Sequence, residues 1–161
     1  MMDTRTPEQR RRIMQAVKSK NTKPELVVRR LLHRMGYRYR LHRKDLPGRP
    51  DIALISHRKA IFVHGCFWHG HECRKGRLPK SRLDYWKPKL ERNKERDREK
   101  SRALESQGWA VLVIWQCEMI DLDALMSRLL GFIGGADLRL GDTVEYRIPI
   151  ETNVEKRDTA A

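Results

Sequence analysis

The sequence predicts a small α/β domain with a central mixed sheet flanked by helices. The apolar patterns run in the order helix, strand, hairpin, helix, strand, helix, which suits one sheet covered by helices. One apolar run, residues 109–115, is nearly unbroken and is expected to be a strand buried on both faces. At 161 residues, the chain suits a single core rather than two.

The elements follow in order. Thr6-Pro7-Glu8-Gln9 reads as a capping box with proline at the first helical position, opening a short helix to about Lys18. Few apolar residues lie in 1–22, so this segment is expected to be an arm outside the core. Thr22-Lys23-Pro24-Glu25 repeats the signature and starts a helix carrying Leu26, Val27, Arg30 and Leu31, with Gly36 as its left-handed stop. Residues 37–42 alternate like a strand, and 44–50 form a loop. Residues 51–55 and 60–64 read as a hairpin. A turn centred on His57 and Arg58 would pair Ile55 with Ala60, Ala53 with Phe62, and Asp51 with His64.

Residues 65–80 are a loop rich in Gly, Cys, His and Lys. A charged helix follows over about 81–107, stopped by Gly108, with Pro88 placed to kink it or split off its first turn. After the 109–115 strand, Asp121 can cap a final helix with Leu122, Leu125, Leu129 and Leu130 on one side. The main domain is thus expected over 23–135, and the polar tail 136–161 carries no assignable role.

Thirty-five Lys and Arg against 21 Asp and Glu give a net charge of +14. Such a field attracts polyanions, and nucleic acid is the expected partner. No amphipathic helix with an aromatic apolar face points to a membrane surface, and no apolar run approaches a membrane span or a signal-peptide core. Three cysteines, an odd number, suit a reducing compartment and thiols used for something other than disulfides.

Three constellations carry chemistry. Cys66, His71 and Cys73 supply two thiolates and an imidazole within eight residues, and Cys117 can close a tetrahedral zinc site. With no open position, such a zinc would staple a loop that lacks a core of its own. The second constellation is Asp51 with His64 and His69. A hard ion such as Mg²⁺ wants a carboxylate and carbonyl oxygens, available from Asp51 and the carbonyl of Val63, while a histidine could take a proton from an attacking water. The third is Phe67-Trp68 between glycines, with Trp86 on the next helix; exposed aromatics in a basic protein offer bases a stacking surface. The sign-alternating run 92–102 reads as a solvated helix face.

These motifs resemble the very-short-patch repair endonucleases. The resemblance is carried by Leu46-Pro47-Gly48-Arg49-Pro50-Asp51, by Phe62-Val63-His64-Gly65-Cys66-Phe67-Trp68-His69, by Asn93 through Asp97-Arg98, and by Gly108-Trp109 through Cys117-Glu118. It implies a restriction-endonuclease-like fold and Mg²⁺-dependent incision of one strand 5′ to the thymine of a T·G mismatch. It also implies one or two magnesium ions and one structural zinc. By position, Asp51 would bind the metal and His69 would be the catalytic histidine. His64 would assist at the phosphate, Glu25 would reach a water on the metal, and Asp97 would support the site from behind. Val63 would ligate through its carbonyl, in place of the carboxylate-x-lysine found more widely among such nucleases. Cys66, His71, Cys73 and Cys117 would hold zinc. Phe67, Trp68 and Trp86 would wedge beside the mismatch, with Met14 entering from the other groove. A monomer acting on double-stranded DNA in a prokaryotic cytoplasm, at the nucleoid, is implied, with mismatch-repair proteins as candidate partners. A zinc-stapled, non-catalytic DNA-binding module and a nuclease cutting matched DNA are the other readings of the same residues.

Overall fold

The computed structural model describes residues 6, 8–9, 11–12, 20–80 and 82–134. Met14 and the tail 136–161 lie outside these residues. In the N-terminal arm the expected capping box is present. The Thr6 amide donates to Gln9 Oε1 at 3.0 Å, the Gln9 amide donates to Thr6 Oγ1 at 3.2 Å, and Glu8, Gln9, Arg11 and Arg12 are helical.

Helix α1 spans Lys23–Arg34, with Thr22 as N-cap: the Glu25 amide donates to Thr22 Oγ1 at 3.4 Å. It ends in a Schellman turn, where Gly36 takes φ +82° and the Tyr37 amide reaches the Leu32 carbonyl at 3.0 Å. Its buried apolar face is Val28, Leu31 and Leu32, whereas Leu26 and Arg30 point outward. Of the residues named for this helix, Leu31 is buried and Val27 packs against the core, while Leu26 and Arg30 lie on the outer side.

Strands β1 (Arg40–Leu41), β2 (Ile52–Leu54), β3 (Lys59–His64) and β4 (Ala110–Trp115) form one sheet in that order. The first two pairings are antiparallel, and β3–β4 is parallel, so the sheet is mixed as predicted. The parallel pair needs a crossover, supplied by helix α2 (Leu83–Ser106). Pro88 sits inside α2 without dividing it. Helix α3 (Leu122–Gly134) closes the described fold, and Asp121 caps it through the Ala124 amide at 3.0 Å.

The sheet separates two cores. Ile52, Leu54, Ile61 and Ile114 pack with α1 and with Leu125, Leu129 and Ile133 of α3. Ala53, Ala60 and Phe62, on the opposite face, pack with Leu46, Trp109 and Leu104 of α2. The alternation along β2 and β3 thus has apolar residues on both sides because both are covered.

Four expectations change. The 37–42 strand shrinks to Arg40–Leu41, since His42 takes φ +47° and turns away. In β4 only Ile114 is buried; the strand lies at the sheet's edge, where the helices cover it incompletely. On α3 the buried stripe is Leu125, Leu129 and Ile133, with Leu122 exposed at the first turn.

The hairpin register also differs: Ala53 faces Ala60 and Leu54 faces Lys59. Four residues make the connection, with Ile55–His57 in a 3₁₀ turn and Arg58 left-handed at φ +49°. The Asp51–His64 pairing does not form. The slip is two residues, however, and side chains alternate with period two, so Asp51 and His64 keep the same face of the sheet.

Candidate functional site

A cavity of about 560 Å³ opens where α1, the end of β2 and the end of β3 meet. Glu25, Asp51, Val63, His64, His69 and Trp68 line it. Sequence-predicted residues from four separate segments are therefore brought together.

Asp51 follows buried Pro50 at the mouth of β2. Its Oδ2 accepts the Val63 amide at 2.8 Å, while Oδ1 faces His42 Nδ1 at 3.7 Å. Burial, with Glu25 adding repulsion, pushes the Asp51 carboxyl up to about 6 against the pull of the Val63 amide. The preceding loop is held close to α2. Gly48 takes φ +70°, and a Cβ there would lie 2.6 Å from Lys100 Cγ, so only glycine allows this approach.

Glu25 is almost fully buried and heavily bonded. It accepts from the Asn21 amide at 2.9 Å, from Thr22 Oγ1 at 3.1 Å and from Arg29 Nη2 at 2.9 Å. Arg29 Nη2 also lies 3.0 Å from His42 Nε2. Glu25, His42 and Asp51 offer ligand atoms within 4.8 Å of one another. Burial lowers the His42 pKa, with Arg29 and Lys20 adding to it and Glu25 opposing.

The His69 and His64 rings stack at 3.7 Å, nearly parallel at 6°. His69 Nδ1 contacts Asp97 Oδ2 at 2.5 Å. Burial, reinforced by His69, drives His64 down to about 3, so the stack is neutral on that side. Burial would raise the Asp97 carboxyl, yet the hydrogen bond with His69, with Lys100 nearby, holds it below the usual range. Asp97 thus turns inward from a helix run expected to be solvated, with the more exposed Lys100 at 3.5 Å beside it.

Cys66, His71, Cys73 and Cys117 also cluster within 4.8 Å. Cys117 Sγ lies 3.5 Å from His71 Nδ1. A tetrahedral zinc with bonds of about 2.3 Å to sulfur and about 2.0–2.1 Å to nitrogen would set these atoms about 3.5 Å apart, so the donor set fits such an ion. Hydrogen bonding to His71 draws the Cys73 thiol down to about 6, whereas burial and the neighbouring sulfurs push Cys117 up to about 12. His71 is pinned by stacking on Trp115 at 4.3 Å and by the hydrogen bond its backbone amide donates to the Cys66 carbonyl at 2.9 Å.

Phe67, Trp68 and Trp86 form one partly buried aromatic cluster. Phe67 meets both tryptophans edge-on with centroids 5.1 Å away. The Asn93 side chain donates to the Trp68 carbonyl at 2.8 Å and so ties the aromatic loop to α2.

Sequence reading missed four contributors. His42 and Arg29 join the Asp51 site, and Tyr85 with Lys89 extends the aromatic cluster. Tyr85 is 43% exposed beside Trp86, and Lys89 Nζ lies over Trp68, Trp86 and Tyr85 at 5.8, 5.3 and 5.1 Å. Only the spacing of Tyr85 and Lys89, four apart on a helix, could have hinted at the second pair.

Comparison with known proteins gives the chain its family. The family described as DNA mismatch endonuclease Vsr matches residues 2–75. The chain is 64% identical over 129 residues to the type II nicking enzyme V.XorIIP of Xanthomonas oryzae pv. oryzae, across 80% of this chain and 95% of that protein. It is 44% identical over 129 residues to the type II nicking enzyme V.NmeAIP of Neisseria meningitidis, across 80% and 92%. With the DNA mismatch endonuclease Vsr of Escherichia coli it shares 36% identity over 140 residues, across 84% and 90%. The catalytic domain of the homing endonuclease I-Bth0305I has the same fold, with a TM-score of 0.50 at 24% identity over 70% of this chain and 94% of that one. The fold is restriction-endonuclease-like, and no helix of the described residues is long and apolar enough to cross a membrane. The chain belongs to the Vsr family of DNA mismatch endonucleases and is a DNA endonuclease.

Proposed function

We propose that this endonuclease nicks one strand of duplex DNA 5′ to the thymine of a T·G mismatch, using Mg²⁺ at Asp51. The observation that carries the reading is the Asp51 carboxylate itself. It is half-buried in the cavity and held by the Val63 amide through one oxygen, while the other faces His42 Nδ1 at 3.7 Å and makes no closer ion pair among the described residues. A hard divalent ion at that oxygen and at the Val63 carbonyl is what such a carboxylate is suited to hold. When bound, it would neutralise the scissile phosphate and the departing oxygen.

The protein's own groups then divide the remaining work. Asp97 keeps His69 Nδ1 occupied, which leaves Nε2 to take a proton from the attacking water. His64, kept neutral by burial, stacks on His69 and fixes its plane while serving the phosphate. Glu25 orders solvent at the same site. The relatives named as nicking enzymes support single-strand incision over double-strand cutting.

Mismatch choice rests on the aromatic cluster. Wedging rings beside a base pair costs a few kcal/mol of unstacking, and a mispaired step costs least. Trp68 faces the cavity, so a ring inserted there would sit beside the strand presented to Asp51. Met14 would enter from the opposite groove. Replacing Trp68 with Ala should weaken binding to T·G duplex by about 1–3 kcal/mol, the worth of one stacked base. Matched duplex is held through phosphates and should lose much less. Equal losses on both, with unchanged melting, would remove Trp68 as the mismatch sensor.

Cys66, His71, Cys73 and Cys117 are proposed to hold one structural zinc. A Cβ at Gly76 would lie 1.9 Å from the His71 carbonyl oxygen and 3.0 Å from that of Cys66. Gly76→Ala is therefore expected to yield protein with less than one zinc per chain by elemental analysis; a full complement in that variant would contradict this packing.

The enzyme is read as a monomer acting at nucleoid DNA, with mismatch-repair proteins as candidate partners. The experiment that tests the substrate is a panel of duplexes carrying each mismatch in several contexts. Nicking confined to T·G, on the thymine strand, is expected. Equal cutting of matched duplex would return the enzyme to a nuclease without mismatch selectivity.

A further inference from the structure

We infer that Arg29 is a resident cation of the active site, standing where a second divalent ion would otherwise bind. The inference deepens the metal assignment at Asp51 and rests on it for function, although the ion count it predicts can be measured without nicking.

Glu25, His42 and Asp51 present a carboxylate, an imidazole and a carboxylate within 4.8 Å, a set able to hold a cation. A guanidinium already lies among them. Arg29 Nη2 is 2.9 Å from Glu25 Oε2 and 3.0 Å from His42 Nε2, and Nη1 donates to Asn21 Oδ1 at 2.7 Å. A guanidinium can only donate and stays charged at every accessible pH. His42 Nε2 must therefore be the acceptor, and its lone pair is spent on Arg29 rather than on a metal. The other ring nitrogen, Nδ1, then carries the proton and faces Asp51 Oδ1 at 3.7 Å.

One arginine thus occupies His42 Nε2 and one oxygen of Glu25. It also places a permanent positive charge beside the position that a second ion would need. Arg29 is 8% exposed, too buried to reach a DNA phosphate, and its Nε has no hydrogen-bond partner among the described residues. An arginine buried with one donor unmet is poorly explained by stability alone. Its charge is directed at Glu25 and His42, so Arg29 acts as a positioning residue. Asp51 Oδ1 and the Val63 carbonyl are left for a single ion.

The test counts Mn²⁺ bound to the zinc-loaded protein, by electron paramagnetic resonance of the free ion, with no DNA present. Arg29→Met keeps an unbranched apolar stem and removes the charge. It should bind one Mn²⁺ more than the wild type, and that extra ion should vanish in Arg29→Met/Glu25→Gln. Arg29→Lys, which retains a charge, should stay at the wild-type count. A cooperatively folded Arg29→Met that binds no extra ion would overturn the inference, as would a Lys variant that gains the ion as Met does. Two Mn²⁺ on the wild type, one lost on Glu25→Gln, would overturn it even if Arg29→Met failed to fold. Absence of any Asp51-dependent ion in the wild type is a different result: it strikes the metal assignment at Asp51, while the gain on Arg29→Met remains readable.

Discussion

Replacing Asp51 with Ala is expected to lower single-turnover nicking by at least about 10³-fold, the equivalent of several kcal/mol of lost charge stabilisation at the phosphate. Affinity for mismatched duplex should be unchanged or slightly tighter, because a carboxylate leaves a site that receives phosphates. The substitution also strips the Val63 amide of its acceptor, at 2.8 Å in the intact protein. An unpaired buried amide costs about 1–3 kcal/mol, so Ala alone could confound chemistry with stability. Asp51→Asn separates the two. Its amide oxygen can still accept from Val63, so it should melt like the wild type and yet remain inactive. Labelled-duplex nicking assays and thermal melts of both variants check this; nicking by either at the wild-type rate would dismiss Asp51 as the metal carboxylate.

The second large effect is expected in the Cys/His loop. Between residues 65 and 80 only Cys66 and Gly76 are buried, so hydrophobic packing does little to hold this segment. Metal ligation would have to do that work, as it does in small zinc-dependent units. The intact protein should contain about one zinc per chain. Cys73→Ser should lose it and lower stability by at least about 3 kcal/mol, roughly 6–12 °C in melting temperature for a domain of this size. The loop carries Phe67, Trp68 and His69, so mismatch affinity and nicking should fall with it. Elemental analysis beside calorimetry is the check: a zinc-free wild type of undiminished stability would leave these residues as ordinary thiols and imidazole.

Much of this was legible in the sequence, for reasons that differ by residue. Thr6-Gln9, Thr22-Glu25, Gly36 and Asp121 are local signals, decided within one helical turn, and each is found in its expected role. The four donors of the Cys/His cluster were legible because three fall within eight residues and the fourth was the remaining cysteine. Asp51 and His64 share a face despite a wrong register, because a two-residue slip leaves side-chain alternation intact.

What was not legible depended on longer-range packing or on single backbone angles. The exposure of β4 reflects its place at the sheet edge, which an apolar run does not reveal. His42 reaches the site only because its backbone turns left-handed at φ +47° as β1 ends. Asp97 faces the site because His69 reaches it from a loop 28 residues away. Arg29 was indistinguishable from its neighbour Arg30 in sequence, yet one is buried against Glu25 and the other is exposed.

Strand-selective, Mg²⁺-dependent incision at a mispaired thymine can be read in a single assay. A duplex with a single T·G pair is labelled separately on each strand and incubated with the enzyme in Mg²⁺ or in EDTA, beside the matched T·A duplex. One product is expected, from the thymine strand, cut immediately 5′ to the mispaired thymine, in Mg²⁺ only. Incision of both strands, equal incision of the T·A duplex, or undiminished incision in EDTA would contradict it.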